Sequence, residues 1–166
     1  MANLSSRLSI LISLTLLVGC DHATKGIAKV ELDGGTVHHL IDGILGLRYV
    51  ENTDIAFNLL RWVPETVRAP ALLVFGSIAV VVLGILLLRG FGDTLTRRCA
   101  LVLVTAGALG NYLDRVVRGY VVDFVHLRHW PVFNVADVYI TAGYVLLALD
   151  FFLSRRHPAA TRRHSG

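Results

Sequence analysis

The strongest constraint on the fold is the segment 69–88, APALLVFGSIAVVVLGILLL, which contains no charged residue. At about 1.5 Å per residue, a helix of this length crosses the roughly 30 Å hydrocarbon core of a bilayer. The composition agrees, because 54% of the residues are hydrophobic and only 17% are charged. The net charge of +4 comes from basic residues placed singly or in pairs at the ends of apolar runs, which is typical of membrane flanks and not of nucleic-acid binding.

Three further apolar stretches predict membrane-spanning helices. The stretches 99–113 and 138–153 carry polar residues near their ends, Asn111 and Asp150. The first stretch begins at residue 8 and reaches full length only if its helix continues to about residue 28. We therefore expect four helices, at about 8–28, 69–88, 97–114 and 138–155.

The segment between the first two helices has the pattern of short strands and turns. In TVHHLIDGILGLRYVENTDIAF, β-branched residues are interrupted by Gly and Asp. We expect a small extracytoplasmic β-sheet here, over about 36–60, and the segment 114–137 is too polar to span the membrane. The predicted fold is an all-α membrane protein with four transmembrane helices, in one domain over 1–156 followed by a disordered cytoplasmic tail, 157–166.

The distribution of basic residues predicts the orientation in the membrane. The 16 Lys and Arg residues divide equally between the two sides of this topology. Long loops count little in the positive-inside rule, so the short connection 89–98 and the tail are the better indicators. They place both termini in the cytoplasm.

Cys20 follows a run that imitates a lipoprotein-type secretory signal, with Arg7, an apolar core and LVGC. On that interpretation the chain would itself be cleaved before Cys20 and lipidated there. The later spans argue against it, and within the first helix Cys20 is expected to be a buried, packed thiol. Cys20 and Cys99 are expected near opposite membrane faces and cannot pair.

Polar and ionisable residues gather where the outer ends of the four helices should meet. Each is costly near the hydrocarbon boundary and is therefore a functional candidate. The set comprises Asp21, Lys25, Asn111, Asp114, Arg115, Asp123, Asn134 and Asp137.

Simpler interpretations remain open for several of these residues. Asp21 and Lys25 are four residues apart and could form a structural ion pair on one helix face. Asp114 could cap and anchor a helix end. His126 and His129 have a spacing that could put both imidazoles on one side of a helix, but no third ligand is nearby, so no metal site is expected.

Asp123 and Asp137 differ from the rest, because each sits among strongly apolar neighbours, in VVDF and NVAD. Two carboxyl groups brought together can share one proton. Aspartic proteases use this arrangement to polarise a water and to protonate a leaving amine. Separate anchoring of the two residues at the interface explains the same sequence, so spacing alone leaves both possibilities open.

Five sequence blocks together resemble lipoprotein signal peptidase, also called signal peptidase II. They occur in the order and with the spacing of that family, and they cover the chain from the first predicted helix to the last. The blocks are DHATK (21–25), ENTDIAF (51–57), AGALGNYLDR (106–115), GYVVDF (119–124) and FNVADVYI (133–140).

The resemblance implies an intramembrane aspartyl endopeptidase of the bacterial inner membrane, which cuts prolipoproteins before a diacylglyceryl-modified Cys. It implies that Asp123 and Asp137 are the catalytic dyad, one acting as general base on a water and the other as acid. The active site would lie near the periplasmic face of a monomer, open to membrane lipids and to globomycin-type inhibitors. No metal, cofactor or nucleic acid is expected.

The resemblance also assigns supporting roles, and it implies that the outer sheet cradles the substrate. Residues that would line the site and hold the substrate backbone or the dyad are Asn111, Arg115 and Asn134. Residues that would support the pocket and its outer rim are Asn52, Asp114, Asp21 and Lys25.

The chain departs from the family at two positions. Asp54 stands where the family usually has Gly, at a point where the backbone could need positive φ or close approach. It adds a charge beside the expected cradle, which bears on substrate or inhibitor preference more than on chemistry. Ala106 replaces a common Gly, a change that still allows close helix packing.

Two other functions fit parts of the sequence. The chain could be a lipoprotein matured at Cys20. It could also be a noncatalytic bundle, such as a small transporter or scaffold, whose intramembrane charges bind an ion.

Overall fold

The computed structural model describes residues 4–32, 36–54, 62–90 and 94–156. Within these ranges are four helices, each long and apolar enough to cross a membrane, and three strands. The predicted class, a four-helix membrane protein with a small sheet, is confirmed. The helices are α1 (Leu4–Glu31), α2 (Glu65–Leu88), α3 (Leu95–Arg118) and α4 (Val135–Arg156), and the strands are β1 (His38–Ile41), β2 (Leu45–Asn52) and β3 (Val121–Leu127).

The helix α3 extends beyond its apolar core, and caps at both of its ends satisfy terminal backbone groups. The hydroxyl of Thr94 accepts a hydrogen bond from the Arg97 N–H (3.2 Å) at the start of α3. That helix passes the predicted end at residue 114 and stops before Gly119, whose φ of 81° suits a left-handed C-cap. Hydropathy marks only the apolar part of each helix, so the sequence-based bounds were too short.

The strands of the sheet come from two different segments that connect helices. Strands β1 and β2 come from the segment between α1 and α2, as expected, but β3 comes from the segment between α3 and α4. The strands are antiparallel in the order β1-β2-β3, with Val50 opposite Asp123 and Asn52 opposite Val121. The strand β3 was not predicted, because its first four residues are all buried. A half-exposed strand is recognised by alternating apolar and polar residues, and this strand lacks that alternation.

Two parts of the sequence-based expectation lie outside the described residues. These are the end of the expected β region, 55–60, which includes the end of the ENTDIAF block, and the tail, 157–166.

The helix α3 is the centre of the bundle and packs against the other three helices. Half of the residues in the apolar 18-residue stretch of α3 are buried. The corresponding share is 6% for α1 and for α2 and 17% for α4. Two glycines let α3 and α4 approach closely, because a Cβ on Gly107 would collide with the Ala136 carbonyl and one on Gly143 would lie 2.8 Å from the Ala100 carbonyl. Small residues give this close packing in membranes, where hydrophobicity itself does not drive helices together.

We expect Gly107→Ala to lower the free energy of unfolding by about 1–3 kcal/mol, because the methyl group pushes α4 away from α3. Thermal unfolding of the purified protein in detergent measures the loss. Gly84→Ala in α2 is the matched control, because its added Cβ would meet nothing within 4 Å. An equal effect of the two substitutions would contradict the close-packing role of Gly107.

Candidate active site

Asp137 lies in the first turn of α4 and is fixed there by a reciprocal cap. Its backbone N–H donates to Asn134 Oδ1 (3.0 Å), and its Oδ2 accepts from the Asn134 N–H (3.2 Å). This is a capping box built from Asn and Asp, in which each side chain satisfies the other's backbone. The first residues of α4 therefore set the position of the Asp137 carboxylate.

Asp123 projects from β3 and is 2% exposed. Its Oδ2 accepts from Asn52 Nδ2 (2.8 Å), a residue diagonally across the ladder on β2. Its Oδ1 accepts from Asn134 Nδ2 (2.6 Å). Two side-chain amides thus hold this carboxylate from the sheet and from the start of α4.

Asn111 of α3 joins the two aspartates into one network. Its Nδ2 donates to Asp137 Oδ1 (2.8 Å), and its Oδ1 accepts from Asn134 Nδ2 (3.1 Å). Asn134 therefore bonds Asp123 directly, and Asn111 bonds Asp137. The two carboxyl groups that the sequence pairs are brought into one hydrogen-bonded cluster.

Burial raises the pKa of Asp123 from 3.8 to about 6, and the nearby charge of Asp137 acts in the same direction. The hydrogen bonds from Asn52 and Asn134 and the positive charge of Lys25 oppose this rise. The folded protein therefore binds a proton on Asp123 far more readily than an exposed aspartate would.

A buried ammonium group, that of Lys25, supports this cluster from α1. Lys25 is fully buried, and its Nζ lies 2.7 Å from Asp21 Oδ2, 2.9 Å from Asp114 Oδ2 and 3.0 Å from Asn111 Oδ1. The ammonium group donates a hydrogen bond to Asn111 Oδ1 and forms ion pairs with the two carboxylates. Arg118 Nη1 lies 3.0 Å from Asp114 Oδ1. The two cations, Lys25 and Arg118, therefore balance the two carboxylates.

The two carboxylates around Lys25 form hydrogen bonds with the elements that contain Asp123 and Asp137. Asp21 Oδ1 accepts from the Ala136 N–H (2.9 Å) in the first turn of α4. Asp114 Oδ2 accepts from the Val122 N–H (3.3 Å), next to Asp123 in β3. The structural ion pair expected for Asp21 and Lys25 is present, and it ties α1 to both catalytic candidates.

Asp54 does not present an isolated charge to the site. Its side chain is buried, and Oδ2 lies 3.4 Å from Arg68 Nη1 at the start of α2. Its N–H donates to Asn52 Oδ1 (2.8 Å), and its carbonyl accepts from Arg115 Nη2 (2.8 Å). Among the described non-glycine residues only His129 has positive φ, so Asp at position 54 is not strained.

One cavity, of about 770 Å³, joins the polar cluster to an apolar region between the helices. This volume is in the range of small-molecule sites. Polar residues on its wall include Asn52, Asp54, Asn111, Arg115, Asp123 and Asp137. Apolar residues on its wall include Leu72, Gly76, Ala79, Ala108 and Ile140.

Two sequence-based interpretations differ from the structure, and one cluster was not predicted. Cys20 is exposed on α1, not buried, because the buried face of that helix is the one that carries Asp21 and Lys25. His126 lies in β3 and His129 in the turn after it, so they do not share a helix face. The cluster Thr94, Arg97 and Asp150, which joins the other ends of α3 and α4, was not expected.

Arg68 is a further residue that the sequence did not single out. It pairs with Asp54, and its Nη2 also donates to Thr53 Oγ1 (3.3 Å). The unusual acidic residue at position 54 is the one signal in the sequence that could have predicted a basic partner. The sequence does not indicate which basic residue that partner is.

Comparisons with known proteins agree with the geometry. A family model described as signal peptidase (SPase) II matches residues 13–153. A lipoprotein signal peptidase of Thermodesulfovibrio yellowstonii is 41% identical over 81% of this chain and 88% of its own. One from Aquifex aeolicus is 36% identical over 89% and 86%. A bacterial membrane enzyme solved by the in meso method at 2.3 Å resolution shares the fold, with a TM-score of 0.81 over 94% of both chains at 24% identity.

We expect Lys25→Met to destabilise the protein by roughly 3–5 kcal/mol, because it leaves Asp21 and Asp114 buried without their shared cation. Thermal unfolding in detergent measures the effect, and Lys29→Met, at an exposed position of the same helix, is the control. Adding Asp21→Asn removes one uncompensated charge and should recover part of the loss. A Lys25→Met protein as stable as the Lys29→Met protein would show that the buried cluster contributes nothing to the fold.

The raised pKa of Asp123 predicts a pH-dependent stability. The folded pKa exceeds the unfolded one, so the contribution of this group is greatest below about pH 4 and is lost as pH rises through about 6. The change from 3.8 to about 6 corresponds to roughly 3 kcal/mol. Asp123→Asn should therefore gain stability relative to the unsubstituted protein between pH 4 and pH 8, by up to that amount.

Unfolding temperatures of both proteins across this pH range test the expectation. Asp42→Asn, at an exposed position in the β1–β2 turn, controls for the loss of one carboxylate. A constant difference between Asp123→Asn and the unsubstituted protein from pH 4 to pH 8 would contradict the raised pKa.

Proposed function

The chain belongs to the signal peptidase II family, and we propose that it is an aspartic endopeptidase that removes signal peptides from prolipoproteins. Membership makes it a protease and, with four apolar helices, a multi-pass bacterial membrane protein. The proposal adds the catalytic residues, the mechanism and the cleaved bond. Cleavage would occur before the diacylglyceryl-modified Cys of the substrate.

One observation carries the mechanism, namely that Asp123 and Asp137 share one amide network and one cavity wall. The two residues come from different elements, β3 and α4, and Asn134 and Asn111 hold them together. Structural anchoring alone does not require two buried carboxylates to face the same cavity. The arrangement matches the pair of carboxyl groups by which aspartic proteases activate a water.

The proposed reaction uses one ionised and one protonated carboxyl group. The ionised group takes a proton from a water as the water oxygen attacks the scissile carbonyl carbon, and the protonated group gives its proton to the carbonyl oxygen. Collapse of the tetrahedral intermediate breaks the C–N bond: the leaving amine takes a proton from one carboxyl group of the dyad, and one hydroxyl of the intermediate returns a proton to the other, which restores the starting state. Burial of Asp123, which raises its pKa, supports a dyad in which one of the two carboxyl groups carries a proton.

The two parts of the cavity suit the two parts of the proposed substrate. Arg115, which bonds the Asn111 and Asp54 carbonyls, lies on the polar wall where it can hold a substrate backbone. The apolar wall from α2 and α4 is suited to acyl chains and to an apolar signal peptide. The sheet beside Asp123 would cradle the extended chain near the cleavage site. A globomycin-type inhibitor would occupy the same cavity.

The proposed setting is the bacterial inner membrane, with both termini in the cytoplasm and the dyad near the periplasmic face. The basic residues of the short connection between α2 and α3 favour this orientation. The proposed working unit is a monomer.

The alternative that the chain is itself matured at Cys20 receives less support. The helix α1 is continuous from Leu4 to Glu31, and Asp21, adjacent to Cys20, bonds α4. Cleavage before Cys20 would cut this helix next to the site that it supports. The intact mass of the purified protein separates the two functions, because maturation removes residues 1–19 and adds acyl chains.

We expect Asp123→Asn and Asp137→Asn each to reduce cleavage of a diacylglyceryl-modified prolipoprotein peptide by about 10²–10⁴-fold or more, because each removes an acid–base group. Release of the signal peptide by reconstituted protein measures the rate. Asp42→Asn should cleave at the unsubstituted rate, and the unfolding temperature of each variant confirms that it is folded. Substantial cleavage by both dyad variants would refute the aspartic mechanism.

A further inference from the structure

A second cavity lies at the end of the bundle opposite to the dyad. It has a volume of about 980 Å³ and is lined by α1, by the end of α2 and by the start of α3. From Arg98, on its wall, to Asn111 in the dyad cluster is about 20 Å along α3. We call this cavity the α1–α3 groove.

The groove exists because the first half of α1 does not pack tightly on the bundle. The buried residues of α1 are Asp21, Lys25 and Ala28, all in its second half. The lining residues Leu16 and Leu17 on α1 are exposed or half-buried. An empty groove between membrane-spanning helices costs free energy, because its apolar walls lose van der Waals contacts.

The walls of the groove change character along its length. Apolar residues line the part nearer to the membrane centre, among them Leu17, Val102 and Leu103. Arg89 and Arg98 line the other end, where α2 stops and α3 starts. Among the described residues that line the groove, none is acidic.

A row of hydroxyl groups adds to this polar end. Ser6, Ser9 and Ser13 are spaced by three and four residues, so they share one face of α1, and all three line the groove. The Ser9 hydroxyl donates to the Ser5 carbonyl (3.0 Å), whereas the Ser13 hydroxyl can donate to an ester oxygen and guanidinium groups donate to phosphate oxygens. The polar lining therefore matches the head and glycerol region of a phospholipid, and the apolar lining matches its acyl chains.

We propose that the α1–α3 groove binds one anionic phospholipid from the leaflet opposite to the dyad. Its acyl chains lie between α1 and α3, and its phosphate lies between Arg89 and Arg98. A zwitterionic lipid adds a cationic headgroup that faces two arginines, so an anionic headgroup is favoured. Two basic residues near a lipid headgroup correspond to a preference of roughly 10–30-fold. The bound lipid joins the loosely packed half of α1 to the rest of the bundle.

The test is native mass spectrometry of the full-length protein in detergent. The probes are palmitoyl-oleoyl phosphatidylglycerol and palmitoyl-oleoyl phosphatidylcholine, which differ only in the headgroup. We expect one retained phosphatidylglycerol with roughly 10–30-fold preference and a matching rise in unfolding temperature. The double variant Arg89→Gln/Arg98→Gln should lose the preference. Arg7→Gln is the matched control, since Arg7 is exposed near the same end of α1 but does not line the groove.

A second variant tests the acyl-chain part separately. Ser13→Phe fills the groove from a half-buried position on α1 and should reduce retention of both lipids. Equal retention of the two lipids by the unsubstituted protein would overturn the proposal, as would a preference that persists in the double arginine variant. Stabilisation by inorganic phosphate equal to that by phosphatidylglycerol would identify an anion site instead. A lipid-free dimer that Ser13→Phe disrupts would show that a second copy of the chain occupies the groove. None of these readouts depends on peptidase activity.

Discussion

The buried ammonium of Lys25 is the interaction on which the rest of the structure depends. It lies within 3.0 Å of Asp21, Asp114 and Asn111, so one cation joins α1 to α3. Its two carboxylates then bond the backbones of α4 and β3 beside the dyad. Such a group is costly unless every partner is present. That condition makes the four elements interdependent and fixes the geometry of the site.

The proposed dyad lies near the starts of β3 and α4. Asp137 belongs to the first turn of α4, where the Asn134 cap fixes its orientation. Asp123 belongs to β3, whose register against β2 brings Asn52 within 2.8 Å. Backbone hydrogen bonds determine both positions, so the carboxyl groups can be held in a costly buried arrangement. The raised pKa of Asp123 is a direct result of that burial.

Position 54 shows how a departure from a family pattern is accommodated. A glycine at this position could have been required for positive φ, but Asp54 has an ordinary backbone conformation. Its carboxylate pairs with Arg68, and its carbonyl accepts from Arg115. The acidic side chain therefore joins the end of β2 to α2 and supports Asn52, which bonds Asp123. Substitution at this position adds a contact to the rim of the cavity.

The sequence by itself determined the class of the fold and the set of candidate site residues. Long uncharged runs permit only membrane helices, and polar residues at their ends are too costly to be incidental, so the four spans and the set of candidate residues followed from composition and position. Only the tertiary structure decided that β3 completes the sheet, that Cys20 is exposed, and that Arg68 pairs with Asp54. Those outcomes depend on which faces of separate elements meet, and that information is carried by long-range packing and not by any local pattern of residues.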